Sequence, residues 1–317
     1  MATTKIKFRA STVGTKEGTP YDPVSIIRYT EELNKQLRKI GKSRTADRYA
    51  TTLNSLKRYL KADDLPLEEM DGAFVLGYEQ WLKECGLCRN TTSFYLRNLR
   101  AIYNHAVEDG LVVSSPLFKH VYTGIDRTAK RALPLDILQR LKALDLTLHP
   151  GQELARDMFL FSFYTRGMSF IDMAQLTKSN LQDGVLTYRR QKTSQQLHIR
   201  WEAPMQEIVT KYQSENTPYL LPLATGKGAT FWKRYRNTYD RINKELKKIG
   251  KLLGLSIPLT TYVARHSWAS VAKSKNVAIS TISEGLGHDS EKTTRIYLSS
   301  LDTSVIDTAN SLIIHSL

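Results

Sequence analysis

The residues best suited to chemistry stand close together near the carboxy terminus, between Thr260 and Tyr297. Tyr262, Arg265 and His266 come first, then Leu286-Gly287-His288, then Tyr297, nine residues beyond His288. Arg265 carries a planar fork that can hold two oxygens of an anion at once. His288 can donate to the same anion or take up a proton near neutral pH. A tyrosine phenolate is a competent nucleophile and, later, a competent leaving group. Together the three residue types suit covalent chemistry at an anionic centre.

Three successive elements must deliver them. Thr260 or Thr261 can cap a helix after Pro258, with Ala264, Trp268, Val271 and Ala272 on one apolar face. Tyr262 and Arg265, three residues apart, are expected to share a different face of that helix. A second helix, with Ile279, Ile282 and Leu286 as its buried stripe, is expected to stop at Gly287, a residue suited to a left-handed turn. His288 then sits on a tight corner. Asp289 or Ser290 can cap a third short helix that carries Tyr297.

This order and spacing resembles the carboxy-terminal signature of the tyrosine recombinases, the phage-integrase family, whose usual pattern is His-x-x-Arg-His, Leu-Gly-His and then Tyr. Arg265, His266, Leu286-Gly287-His288 and Tyr297 match it, while Tyr262 stands where the pattern has its first His. The resemblance implies that Tyr297 attacks a DNA phosphodiester, giving a 3′-phosphotyrosine and a free 5′-hydroxyl. Charge developing on the non-bridging oxygens calls for fixed cations. Arg265 and His288 would serve there, His288 alternatively taking the phenol proton. Lys192 stands at the family's general-acid position. Tyr262 keeps a hydrogen-bond donor and either touches the phosphate or supports Arg265; His266 is expected to pack beneath the site as a helper. The family's other arginine precedes an acidic residue by three positions, which here is Ser169 before Asp172. Arg166, about one helical turn back, is assigned that phosphate role, with Ser169 as helper if the helix runs on through Gly167.

Composition agrees with a polyanion partner. The 317 residues include 46 Lys and Arg against 31 Asp and Glu, a net charge of +15, which points most simply to double-stranded DNA. The two cysteines, Cys85 and Cys88, have the spacing of half a zinc site without a second pair to complete it. No metal and no cofactor is expected, since side-chain cations fill that role. No secretory signal opens the sequence, and the longest apolar run, Met158 to Tyr164, is far too short to span a bilayer. A cytoplasmic, DNA-associated bacterial protein without membrane contact is expected.

In chain order, residues 1–20 read as a flexible arm. Asp22-Pro23 has the form of a helix start, and four helices follow within 21–118: to Gly41, Ser43 to about Ala62, Asp71 to Cys85, and Asn90 to Asp109. Arg44, Arg48, Arg97 and Arg100 on them are candidate DNA contacts. This unit has the layout of the family's small helical, SAM-like core-binding domain. Residues 119–133, with Arg127, Lys130 and Arg131, read as an exposed basic linker. The catalytic domain is expected over 134–317. There, Asp183-Gly184 and two alternating runs form a β-hairpin with Lys192 at its turn. A long helix from Gly228 to Leu253 exposes Lys233, Arg234 and Arg236 among other cations, suited to phosphates. The fold class is mainly α (α+β), with a small β-sheet and an apolar terminal helix over 301–317.

Site-specific recombination, whether integration, excision or inversion, is the function this resemblance implies. The protein would be a monomer in free solution and a homo-tetramer on paired sites, with an accessory DNA-bending protein admitted. A type IB topoisomerase would share the chemistry. A DNA-binding regulator with impaired catalysis is the alternative from a different class, raised by Tyr262 and Ser169.

Overall fold

The computed structural model describes residues 24–61, 64–126, 132–212, 215–226, 228–288, 290–298 and 314–315. The chain divides into two compact units, Met1–Thr128 and Ala129–Leu317. The expected arm at 1–20, the linker residues Arg127, Lys130 and Arg131, and all of the expected terminal helix except Ile314 and His315 lie outside the described residues.

The first unit holds four helices, α1 (Ile26–Lys39), α2 (Ser43–Leu60), α3 (Gly72–Glu84) and α4 (Arg89–Glu108). Helix α1 starts later than Asp22-Pro23 suggests, because Ser25 is its cap: the Ser25 hydroxyl accepts from the Arg28 amide at 3.0 Å. Ile26, Tyr29, Leu33 and Leu37 recur at helical spacing and are buried. Gly41, at φ +78°, ends the run and lets α2 turn back against it. Asp71 caps α3 by accepting from the Phe74 amide at 2.7 Å. The expected linker is corrected at its near end. Phe118 and Val121 enter this unit's core, and the carbonyl of Gly124 accepts from Ser93 and, at 2.9 Å, from Arg97. Residues 118–126 therefore belong to the helical unit, and Leu133 is already buried in the next one.

The second unit contains α5 (Leu135–Ala143), α6 (Pro150–Tyr164), α7 (Phe170–Gln175), β1 (Leu181–Gln182), β2 (Val185–Arg189), β3 (Gln196–Arg200), α8 (Ala203–Tyr212), α9 (Gly228–Leu252), α10 (Thr261–Ser274), α11 (Ile279–Leu286) and α12 (Glu291–Leu298). The second half of α6, from Met158 to Tyr164, is apolar nearly all round, and the helix lies against α8, α9 and α10. Phe159 and Phe161 on it are fully buried, and truncating either to Ala would cost about 3–5 kcal/mol. The three strands form one antiparallel sheet in the order β1-β2-β3. Asp183 and Gly184, both at positive φ, make the tight turn into β2. The register pairs Val185 with Arg200 and Arg189 with Gln196. Leu186, Tyr188, Leu197 and Ile199 thus share the buried face, and Lys192 lies in the connecting turn. Among the described residues, no helix is long and apolar enough to cross a membrane.

Candidate active site

The site is built where the end of α6, the start of α10 and the end of α11 meet. Helix α6 stops at Tyr164, and Arg166 (φ +59°) and Gly167 (φ +72°) both take the left-handed conformation. The Gly167 amide donates to the Ser162 carbonyl at 2.7 Å, closing the helix end. A β-carbon at Gly167 would lie 2.6 Å from the α-carbon of Arg265, so only glycine permits this approach.

Helix α10 begins at Thr260, but the threonine side chain makes no cap bond. The free amide of Thr261 donates instead to Asn243 Oδ1 of α9 at 2.9 Å. This fixes the turn that carries Tyr262 and Arg265. Arg265 is 4% exposed. It donates to the Gly167 carbonyl at 2.9 Å and to the Leu286 carbonyl, and so ties α6, α10 and α11 together. Tyr262 does not share its face: the tyrosine is 54% exposed and lies edge-on to His266, ring centroids 4.8 Å apart. Residues three apart are offset by only about 60° around an α-helix, and the edge of the buried face falls between them, leaving Arg265 inside and Tyr262 in solvent.

Helix α11 ends on Gly287 in the left-handed conformation, as the sequence leads one to expect (φ +62°, ψ +48°). His288 follows on the corner, its amide donating to the Ser283 carbonyl at 3.0 Å. Its Nδ1 lies 2.8 Å from the hydroxyl oxygen of Thr294 on α12. Burial, then the charges of Arg265, Arg190 and Lys192, hold the His288 pKa down at about 4. The imidazole is therefore neutral at physiological pH. Tyr297 is carried on α12, three residues after Thr294.

The helix does not continue through Gly167, so Arg166 and Ser169 do not form one face. Ser169 is the cap of α7 and donates to Asp172 Oδ2 at 2.6 Å, so its hydroxyl is engaged in holding the start of that helix. Arg166 is half-buried, its side chain against Gly285 beside Trp268. Lys192 is exposed, as a group that meets substrate must be.

One residue escaped the sequence reading. Arg190, just past β2, is 6% exposed and donates to the Gly287 carbonyl. Its signal was present: Leu186, Tyr188 and Arg190 alternate on one side of the strand, so period two turns the arginine inward with them.

Of the candidate DNA contacts, Arg44 and Arg48 are exposed on α2, and Lys233, Arg234 and Arg236 are exposed on α9. Arg97 and Arg100 are partly committed to holding Gly124 and, at 3.1 Å, Thr123.

A buried arginine pair and a neutral histidine thus meet at the end of α11 on a mainly helical scaffold, next to the helix that carries Tyr297. Two family models match the chain: the phage integrase SAM-like domain over residues 25–121 and the phage integrase family over residues 137–304. The chain belongs to the phage integrase family, the tyrosine recombinases, and is a DNA breaking-rejoining enzyme of site-specific recombination. It is 27% identical over 261 residues to tyrosine recombinase XerC of Rickettsia canadensis (strain McKiel), covering 77% of this chain and 83% of that one. With XerD of Listeria innocua it shares 22% identity over 237 residues, 70% of this chain and 76% of the relative. Among solved structures, a lambda integrase dimer bound to a COC′ core site superposes with a TM-score of 0.66 at 16% identity, over 89% of this chain and 79% of that one. XerH site-specific recombinase bound to palindromic difH gives 0.64 at 16% identity, over 89% and 86%. Neither the topoisomerase nor the regulator alternative is favoured by these findings.

Proposed function

We propose that this enzyme cuts and rejoins duplex DNA with Tyr297 as nucleophile, Arg265 and His288 on the scissile phosphate, and Lys192 as the general acid. Tyr297 gives up its phenolic proton to solvent, its oxygen attacks phosphorus and the bond to the 5′-oxygen breaks. Lys192 supplies that oxygen with its proton. The carrying observation is the convergence of Arg265 and His288 on the end of α11, with α12 tied to His288 through Thr294. The covalent phosphotyrosine conserves the bond energy, so rejoining is the same step reversed. Neutral His288 is suited to hydrogen-bonding a non-bridging oxygen.

DNA is the partner in this reading, and a homo-tetramer on paired sites is the working assembly. Its support is that lambda integrase has been solved as a dimer on a core site and as a tetramer on a Holliday junction. The exposed basic face of α9 and Arg44 and Arg48 of α2 supply phosphate contacts. An accessory DNA-bending protein belongs to the same proposal. So does action in the bacterial cytoplasm, supported by relatives from bacteria.

The test begins by mapping the joints rearranged in cells that carry the gene, and making nicked duplexes of the recovered site. Wild-type protein should trap a covalent protein–DNA adduct, in chelator as well as without it. Tyr297→Phe should bind the site and form none. An adduct from the Phe variant would remove Tyr297 from the role, and cleavage lost in chelator would point to another enzyme class.

A further inference from the structure

We infer that Arg190, delivered by the hairpin, is the second phosphate-binding arginine of this site, in place of Arg166. The inference rests on the recombinase reading above. Three observations carry it.

The first is location. Arg190 packs on Gly287: a β-carbon there would lie 3.0 Å from Arg190 Cδ, and the guanidinium donates to the Gly287 carbonyl. Arg265 holds the preceding carbonyl, that of Leu286. Two guanidinium groups thus flank the corner from which His288 projects. Both of their charges act on His288, whereas that of Arg166 is not among those that do.

The second is an unanswered charge. Among the described residues, no carboxylate lies within ion-pair distance of Arg190, although the side chain is almost fully buried. Burying a guanidinium on carbonyl oxygen alone is costly. Its bond to Gly287 occupies one of five N–H donors, and the remaining ones suit an anion that arrives with substrate.

The third is the route by which it gets there. Asp172, three residues after Ser169, accepts from the Gln191 amide at 2.9 Å on its Oδ1. That bond stitches the residue following Arg190 to the start of α7. The hairpin is therefore fixed to the start of α7 beside Arg190, and Asp172 and Arg190 both act on Tyr188. Arg166, at positive φ, has its Cδ beside Gly285 of α11.

The experiment compares adduct formation on nicked mapped sites carrying either an ordinary scissile phosphodiester or a methylphosphonate, in which a neutral methyl replaces one charged oxygen. Arg190→Ala should cleave the phosphodiester about a hundredfold more slowly than wild type, the size of one lost preorganised donor. On methylphosphonate the deficit should shrink to about tenfold or less, because the charge Arg190 neutralises is gone. Arg166→Ala should stay within about threefold of wild type on both substrates. Equal deficits of Arg190→Ala on the two substrates would mean a purely structural arginine and overturn the assignment, as would unimpaired cleavage. A substrate-dependent deficit in Arg166→Ala would return the role to that residue. If Arg190→Ala fails to fold, Arg190→Lys is read the same way: it keeps the cation without the fork, so a smaller deficit, also relieved by methylphosphonate, is expected. Wild-type protein without any adduct would sink the recombinase reading itself, a result separable from all of these.

Discussion

His288 Nδ1 and the hydroxyl oxygen of Thr294 are 2.8 Å apart, with Thr294 fully buried. If the hydroxyl donates, the neutral imidazole must carry its hydrogen on Nε2, which makes that nitrogen a donor suited to a phosphate oxygen. The contact also joins the corner after α11 to the helix that carries Tyr297. Thr294→Val keeps the shape and removes the bond. It should destabilise the protein by about 1 kcal/mol and slow adduct formation about tenfold. Nitrogen chemical shifts of the His288 ring should move toward a mixed tautomer, and Thr294→Ser should restore both rate and shifts. Unchanged ring shifts in the valine variant would count against the tautomer argument.

The depressed pKa of His288 has a signed consequence for stability. Its ordinary value of 6.5 is lowered to about 4 in the folded protein, chiefly by burial and then by Arg265, Arg190 and Lys192. Between those values the unfolded chain binds a proton that the folded one refuses. Stability contributed by this group is therefore present above about pH 6.5 and declines as pH falls toward about 4. Denaturant melts of wild type and His288→Asn at pH 7 and pH 5 should show the smaller loss in the variant. The histidine is half-exposed, which softens the slope. Identical losses would mean that His288 titrates normally.

The leaving group provides a test of Lys192 that does not depend on folding. Lys192→Ala should lose about 10²–10⁴-fold in cleavage of an ordinary site, the range for a general acid. A 5′-phosphorothiolate, whose sulfur leaves without protonation, should return the variant to near the wild-type rate. No rescue would leave the lysine as a phosphate contact or a bystander.

How far the sequence was legible follows from which contacts are local. Arg265, His288 and Tyr297 were readable because each lies at a fixed place on a short helix or its stop. The left-handed Gly287 needed only its own neighbours to be recognised. The hairpin and its Lys192 turn were equally local, marked by Asp183-Gly184 and by period two. The course of the chain at Arg166 was not legible, because the stop after α6 depends on Gly167 meeting Arg265, a contact between residues 98 apart. The same holds for residues 118–126, whose packing on α4 rests on contacts such as Gly124 with Ser93 and Arg97, distant in sequence. Arg190 obeyed a local rule, yet its charge argued for the surface, and only the packing against Gly287 shows why the strand's inward phase prevails.

Gly167 offers the sharpest test of how the site is held together. It takes φ +72°, and an added β-carbon would lie 2.6 Å from Arg265 Cα and 2.8 Å from its Cβ. Those atoms belong to α10, so no side chain can swing away and the two helices must part. Gly184 is the matched control: it has φ +71° in the turn before β2, with nothing within 4 Å of the place a β-carbon would occupy. Gly184→Ala should cost only the strain of a left-handed alanine, about 1 kcal/mol, with adduct formation unchanged. Gly167→Ala bears the same strain and in addition displaces Arg265, whose bond to the Gly167 carbonyl holds its guanidinium in place. Its melting temperature should fall further than that of the control, and cleavage measured below that temperature should drop at least about tenfold, since misplacement by about 1 Å is enough for such losses. Equal melting temperatures and equal cleavage in the two variants would show that the close approach of α6 to α10 does not position Arg265.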